Sequence, residues 1–321
     1  MWQLLLALVS LYYLVRWLRE RQVVSNLSDK YVLITGCDSG FGHLLARQLD
    51  RRGLRVLAAC LTERGAHELR EQTSQRLETV ILDVTKSESI AAAVQWAKER
   101  TGSRGLWGLV NNAGTAVPSA PNEWLTKEDF MKVLDVNLLG VIEVTLGMLP
   151  LVRKARGRIV NVSSVMGRGG YCISKYGVEA FSDSLRRELS FSGVKVAIVE
   201  PGYFKTAMTT TENISHCLQN AWERASPEVK EFYGEAFMAS CKKFFALVNP
   251  LWPDSLSLAT DCMEHALTAR HPRTRYSAGW DAQFLYIPMS YLPTSAVDAM
   301  IYWFSPRHTM AFYRRLRHII G

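Results

Sequence analysis

The feature that most constrains the fold is a series of six short apolar runs: YVLIT (31–35), LRVLAAC (54–60), TVILD (79–83), LWGLV (106–110), GRIVNVS (157–163) and VKVAIV (194–199). Helical stretches, 87–100 and 126–154 among them, separate the runs. Runs that are apolar throughout, rather than at every second position, suit strands covered on both faces. Helices between them return the chain for parallel pairing. The pattern predicts an α/β fold, a Rossmann-like doubly wound parallel sheet. No repeat, low-complexity tract or linker divides the chain after residue 30, so a single domain over 31–304 is expected. With 48% of its 321 residues hydrophobic and 21% charged, the chain is neither disordered nor collagen-like.

The N-terminus carries a different signal. Trp2 to Val15 hold no charge, and Arg16, Arg19 and Arg21 follow. Fourteen helical residues rise about 21 Å, and a helix running to Leu18 with Arg16 snorkelling reaches about 25 Å. That suffices for a thin bilayer of the endoplasmic reticulum kind. Residues 1–18 therefore read as a membrane anchor and 19–30 as a linker; a helix packed on the domain is the other reading. Arginines behind the span place the domain on the cytosolic side. At the far end, 283–304 is aromatic-rich but broken by Pro288 and Pro293, which suits an interfacial segment or a pocket wall. A basic tail, 305–321, holds Arg307, Arg314, Arg315 and Arg317; contact with anionic head groups and a solvated tail are equal readings.

Lys and Arg number 38 against 30 Asp and Glu, a net charge of +8. No basic-aromatic stripe or recognition helix accompanies it, so no nucleic-acid partner is expected. The six cysteines and seven histidines fall in no zinc spacing, which predicts reduced thiols and no metal.

The first strand runs into Thr35, Gly36, Cys37, Asp38, Ser39, Gly40, Phe41 and Gly42, and a helix follows. Glycines there let the backbone approach a pyrophosphate, and the helix N-terminus offers free N–H groups. Asp83 ends the third strand, where a carboxylate meets an adenine amino group. Asn111-Asn112-Ala113-Gly114 ends the fourth. With the lone Asn137, Ser164, Tyr171-x-x-x-Lys175 and Pro201-Gly202, the chain resembles the short-chain dehydrogenase/reductase family over 30 to about 210. GYCISKYGVEAFSDSLRRE and EHALTARHPRTRYSAGWDA are similar to its microsomal retinol and 3α-hydroxysteroid dehydrogenase branch.

Tyr171 and Lys175, four apart, share one helix face. A free phenol has a pKa of about 10; a nearby ammonium is expected to lower it, so that Tyr171 takes a proton from an alcohol as hydride leaves. Ser164 is expected to hold the substrate oxygen. The resemblance implies further roles. Asn137 holds a relay water, Lys175 clamps the nicotinamide ribose, and Pro201, Gly202 and Thr206 seat the nicotinamide. Thr35, Gly36, Ser39, Gly40, Phe41, Gly42, Asp83, Asn111, Ala113 and Gly114 complete the cofactor set. No cation follows the second strand closely enough to clamp a 2′-phosphate, and Asp38 opposes one, so NAD is expected over NADP. The resemblance also implies a homodimer and a lid, 203–252, over a retinoid or steroid. Its aromatic residues, Trp222, Phe232, Phe237, Phe244 and Phe245, suit a pocket and a core equally. Only six residues separate Ser164 from Tyr171, about half the family interval. The lost slack leaves a second reading open: a catalytically impaired variant that binds NAD or a lipid without turnover.

Overall fold

The computed structural model describes residues 2–165, 169–303 and 305. Helix α1 (Trp2–Glu20) precedes the domain. Then come β1 (Tyr31–Thr35), α2 (Gly40–Arg51), β2 (Arg55–Cys60), α3 (Glu63–Arg70), β3 (Leu77–Ile81), α4 (Ser87–Thr101) and β4 (Gly108–Asn111). A nearly continuous helical run follows: α5 (Lys127–Leu134), a π-helical turn (Asp135–Leu139) and α6 (Gly140–Lys154). After β5 (Arg158–Val162) come α7 (Gly169–Glu188) and β6 (Lys195–Pro201). Two helices of the expected lid segment, α8 (Thr211–Arg224) and α9 (Pro227–Val248), precede α10 (Ser257–Thr268) and β7 (Arg275–Ala278). The single turn α11 (Ile287–Met289) and α12 (Thr294–Trp303) end the described chain.

All seven strands pair in parallel in the order β3-β2-β1-β4-β5-β6-β7. Alternation along β1 shows why both faces are covered. Val32 and Ile34 point to Leu45 and Leu49 of α2 and to Met263 and Leu267 of α10. Tyr31 and Leu33 point to Ala93 of α4, Met148 of α6 and Leu185 of α7. The strand order reverses between β1 and β4, which opens a crevice beyond their carboxyl ends.

β7 has no counterpart among the six expected strands: RYSA is too short and polar for the apolar signal. Helix α1 buries none of its residues, so it is not a helix packed on the domain. Among the described residues, only Lys127–Lys154 has the length and hydropathy of a membrane span, a mean of 1.6. Its inner face is core, with Val144, Met148 and Val152 buried, so it belongs to the sheet's covering layer. The segment 283–303 lies outward: Phe284, Tyr291 and Trp303 are 77%, 84% and 68% exposed. The basic tail lies outside the described residues.

Candidate active site

The crevice holds a cavity of about 710 Å³. One end is the β1–α2 loop. Gly36 has φ 71°, and a side chain there would meet the Ala113 backbone at 2.8 Å. Gly42 presses against Gly36 O, where a Cβ would lie at 2.3 Å. Gly40, at φ 62°, faces open space. Ser39 precedes α2 without capping it by its side chain, and Ser39, Gly40 and Phe41 line the cavity. The first N–H groups of a helix have no intrahelical partner. Loop and helix end together fit a pyrophosphate. Thr35 lies beneath the floor: its Oγ1 accepts from the N–H groups of Asn112 and Ala113, both at 3.0 Å.

The remaining cofactor candidates divide. Asp83, Ala113, Gly114, Pro201, Gly202 and Thr206 line the cavity. Thr85 donates to Asp83 through side chain and backbone, at 2.7 and 3.0 Å, which holds the carboxyl below its usual range. Asn111 does not line it. Its amide is buried under the sheet end and donates to Thr145 Oγ1 and Asn161 Oδ1, both at 2.8 Å. Asn112 lines the wall instead and ties the floor by donating to Thr35 O and Gly36 O. Asp38 also lines it, accepting from the N–H groups of Leu61 and Thr62 at 2.7 and 3.0 Å.

At the other end Ser164, Tyr171 and Lys175 converge. Ser164 hydrogen-bonds Tyr171 despite the short interval, so the lost slack has not drawn the serine away. Of the intervening loop, Met166, Gly167 and Arg168 lie outside the described residues. Lys175 Nζ donates to Val162 O at 2.8 Å and stands 5.5 Å from the Tyr171 ring centre. The expected direction of the phenol shift is reversed. Burial pushes Tyr171 up to about 12, against the lowering effect of Ser164, while Tyr203 adds a rise. Burial likewise lowers Lys175 to about 8. For the phenol, desolvation outweighs the hydrogen bond from Ser164.

Asn137 sits on the π-helical turn, fully buried and off the cavity wall. Its Oδ1 accepts from Thr115 N at 2.7 Å, and its Nδ2 donates to Thr115 O at 2.8 Å and Ser174 Oγ at 3.1 Å. Ser174, with no role assigned from sequence, thus links the catalytic helix to the loop after β4. Arg275 was also missed. From β7 it joins Glu179 and Asp183 of α7 to Glu200 of β6. Glu179 in turn accepts from Ser163 Oγ at 2.8 Å, beside Ser164. The distances in sequence, 96 residues for Arg275–Glu179, hide such a clamp from any local pattern.

A family model described as short chain dehydrogenase matches residues 30–216. The chain belongs to the short-chain dehydrogenase family. Membership makes it an oxidoreductase acting on CH–OH donors with a nicotinamide cofactor. It is 69% identical to human (Homo sapiens) retinol dehydrogenase 16 over 311 residues, covering 95% of this chain and 98% of that one. It is likewise 69% identical to retinol dehydrogenase 7 of Rattus norvegicus, over 97% and 100% of the two chains. To human (Homo sapiens) 17-beta-hydroxysteroid dehydrogenase type 6 the identity is 64%, over 94% and 96%. A solved short-chain dehydrogenase from Streptomyces avermitilis shares the fold at TM-score 0.65, with 24% identity over 85% of this chain and 95% of that one.

In the dehydrogenase, the aromatic residues of the segment 203–252 divide between core and cavity wall. Trp222 packs on Trp124 at 4.9 Å between ring centres, and Phe237 joins them. Phe232 is exposed, and Phe244 rests on Phe245. Phe245 alone of the five reaches the cavity, where Met208, Ile214, Leu218 and Phe204 make an apolar wall.

Proposed function

We propose that the protein oxidises the hydroxyl of all-trans-retinol or of a 3α-hydroxysteroid, with NAD as acceptor, while anchored in the endoplasmic reticulum membrane. The observation that carries this reading is the meeting of Ser164, Tyr171 and Lys175 at one end of a cavity whose other wall is apolar. The 69% identity to a retinol dehydrogenase and the 64% identity to a 17-beta-hydroxysteroid dehydrogenase support retinol and hydroxysteroids as the substrate classes, while the 3α position rests on the sequence resemblance.

The nicotinamide supplies the hydride acceptor when bound. Ser164 orients the substrate oxygen beside the Tyr171 hydroxyl, and Tyr171 takes the alcohol proton. Lys175 keeps positive charge close to the phenol oxygen as that oxygen turns negative. The apolar wall excludes water from the exchange. Asp38 supports NAD, since its carboxylate lies against the loop after β2 and would repel a 2′-phosphate. Arg64, the nearest following cation in sequence, is 87% exposed and paired with Glu68. The uncharged stretch of α1 and the arginines after it support a single anchor with the domain cytosolic.

The test is turnover by the full-length protein in microsomes, with NAD or NADP and with retinol or androstanediol side by side. Product is expected with NAD, and Tyr171→Phe should lower kcat at least about a hundredfold. Turnover that survives Tyr171→Phe would remove the phenol from the mechanism. Tight NAD binding with no turnover of either alcohol would favour the impaired variant.

A further inference from the structure

A second pocket, about 290 Å³, lies at the opposite end of the sheet from the catalytic cavity. Arg158 opens β5 and Lys195 opens β6; both line it, with Arg273 from the approach to β7 and Arg186 from the last turn of α7. Four cations and no acid make up its charged lining. Two have acid partners outside it: Arg186 meets Asp183 at 3.2 Å, and Arg273 meets Glu20. Among the described residues, Arg158 and Lys195 pair with no acid; Arg158 lies over the Trp107 ring, 4.5 Å from its centre, and both donate to backbone. Arg158 Nη1 donates to Ala266 O and Ala269 O at 3.0 and 2.7 Å, and Lys195 Nζ to Arg270 O at 2.7 Å.

Arg158 is 3% exposed, and its buried Nε has no hydrogen-bond partner. The Trp107 ring and two carbonyls offset part of its burial, but a guanidinium taken out of water with no counter-charge remains costly unless something negative shares the site. Its neighbours raise the cost. Lys195 is held below its usual range by burial and then by Arg158 and Arg270. Nearby His271 is held down by burial and then by Arg19, Lys195 and Arg270. A planar guanidinium with a free edge beside an ammonium suits an oxyanion of more than one charge. The hydroxyls of Ser190 and Thr274, also in the lining, add donors without charge.

We propose that this pocket is a binding site for a phosphate-bearing anion, the source within reach being the head group of an anionic phospholipid. The choice of source rests on the membrane reading of α1; the anion site itself does not. Arg273 of the pocket grips Glu20, the last residue of α1, and Arg270 N donates to Gln22 O. The pocket therefore opens at the foot of the anchor, at head-group level once α1 is inserted. Anionic lipid there would fix the tilt of the domain on the membrane.

The experiment is thermal unfolding and binding titration of the full-length protein in neutral detergent. The probes are dioctanoyl phosphatidic acid, dioctanoyl phosphatidylcholine and inorganic phosphate. Phosphatidic acid is expected to raise Tm saturably, and phosphatidylcholine to leave it unchanged. Lys195→Gln should weaken the phosphatidic acid Kd about fivefold, the effect of one basic residue near a lipid surface. Arg186→Gln, on an exposed helix end, gives an independent variant should the first fold poorly. Neither residue lines the catalytic cavity, so turnover should be unchanged. A saturable shift with phosphate equal to that with phosphatidic acid assigns the site to free anions and keeps the proposal. No saturable shift with either, or a shift that both variants leave intact, overturns it. Failure of α1 to hold the protein in membranes would remove only the lipid source.

Discussion

Lys175 is stored in an unfavourable state. Its ammonium is buried, bonded to Val162 O, and lowered from 10.5 to about 8. Between those two values the unfolded chain binds the proton more tightly than the folded one, so stability rises with pH across pH 8 to 10.5. Below pH 8 the folded protein carries the full cost of the buried charge. Lys175→Met should therefore stabilise the protein at pH 7 by about 1–3 kcal/mol while removing turnover. The gain should shrink as pH climbs from 8 towards 10. Tyr171, raised to about 12, contributes stability that is lost as pH rises from about 10, which meets this window only at its upper edge and is common to both proteins. Urea denaturation of both proteins at pH 7 and pH 10 checks it; a gain unchanged by pH would deny the burial cost. The pairing of Tyr171 with Lys175 is legible in their helical spacing. The direction of the phenol shift was not legible, because spacing carries no information on burial.

At the scale of elements, the π-helical turn Asp135–Leu139 is the least legible feature and joins the most. Apolar periodicity through 126–154 reads as one helix, and one widened turn barely disturbs it. The turn brings Asn137 inward, where it holds both polar backbone groups of Thr115 and reaches Ser174. Asn137→Ala would leave the part-buried N–H and C=O of Thr115 without their side-chain partner, costing about 2–3 kcal/mol. Ser174→Ala leaves that backbone pair satisfied and should cost only about 1 kcal/mol. Chemical denaturation of the two variants separates them; equal losses would mean that the turn does not depend on its asparagine. The six expected strands all formed within about two residues of their apolar runs, because burial on two faces writes itself into composition. β7 escaped that signal, being four residues at the sheet edge, with Arg275 facing outward to three carboxylates.

At the scale of the whole molecule, α1 is joined firmly to the domain. The sequence reads residues 19–30 as a polar linker, yet the structure pins its start. Glu20 pairs with Arg273, and Arg273 with Arg16 holds its carboxyl down to about 2. His265 Nε2 lies 2.9 Å from Glu20 O, and Val24 N donates to Thr268 O at 2.8 Å. Val23 also forms a bridge with Ala269. Because Glu20 stays ionised well below neutrality, the seam persists at any physiological pH. With α1 as the proposed anchor, this seam would hold the domain in a fixed orientation to the membrane, its outward aromatic segment 283–303 carried on the same chain end as β7. If the arginine bias faces the domain to the cytosol as proposed, externally added trypsin should reach Arg19 and Arg21 at the end of α1 in intact microsomes. Glu20→Gln should raise the cleavage rate at Arg19 and Arg21 about fivefold, the open population gained when a partly buried ion pair worth about 1 kcal/mol is lost. Arg273→Gln should do the same, and the double variant should add little, since the two residues share one interaction. Complete protection without detergent would reverse the orientation. Equal cleavage of all four proteins would make the seam incidental and leave the linker as flexible as its composition suggests.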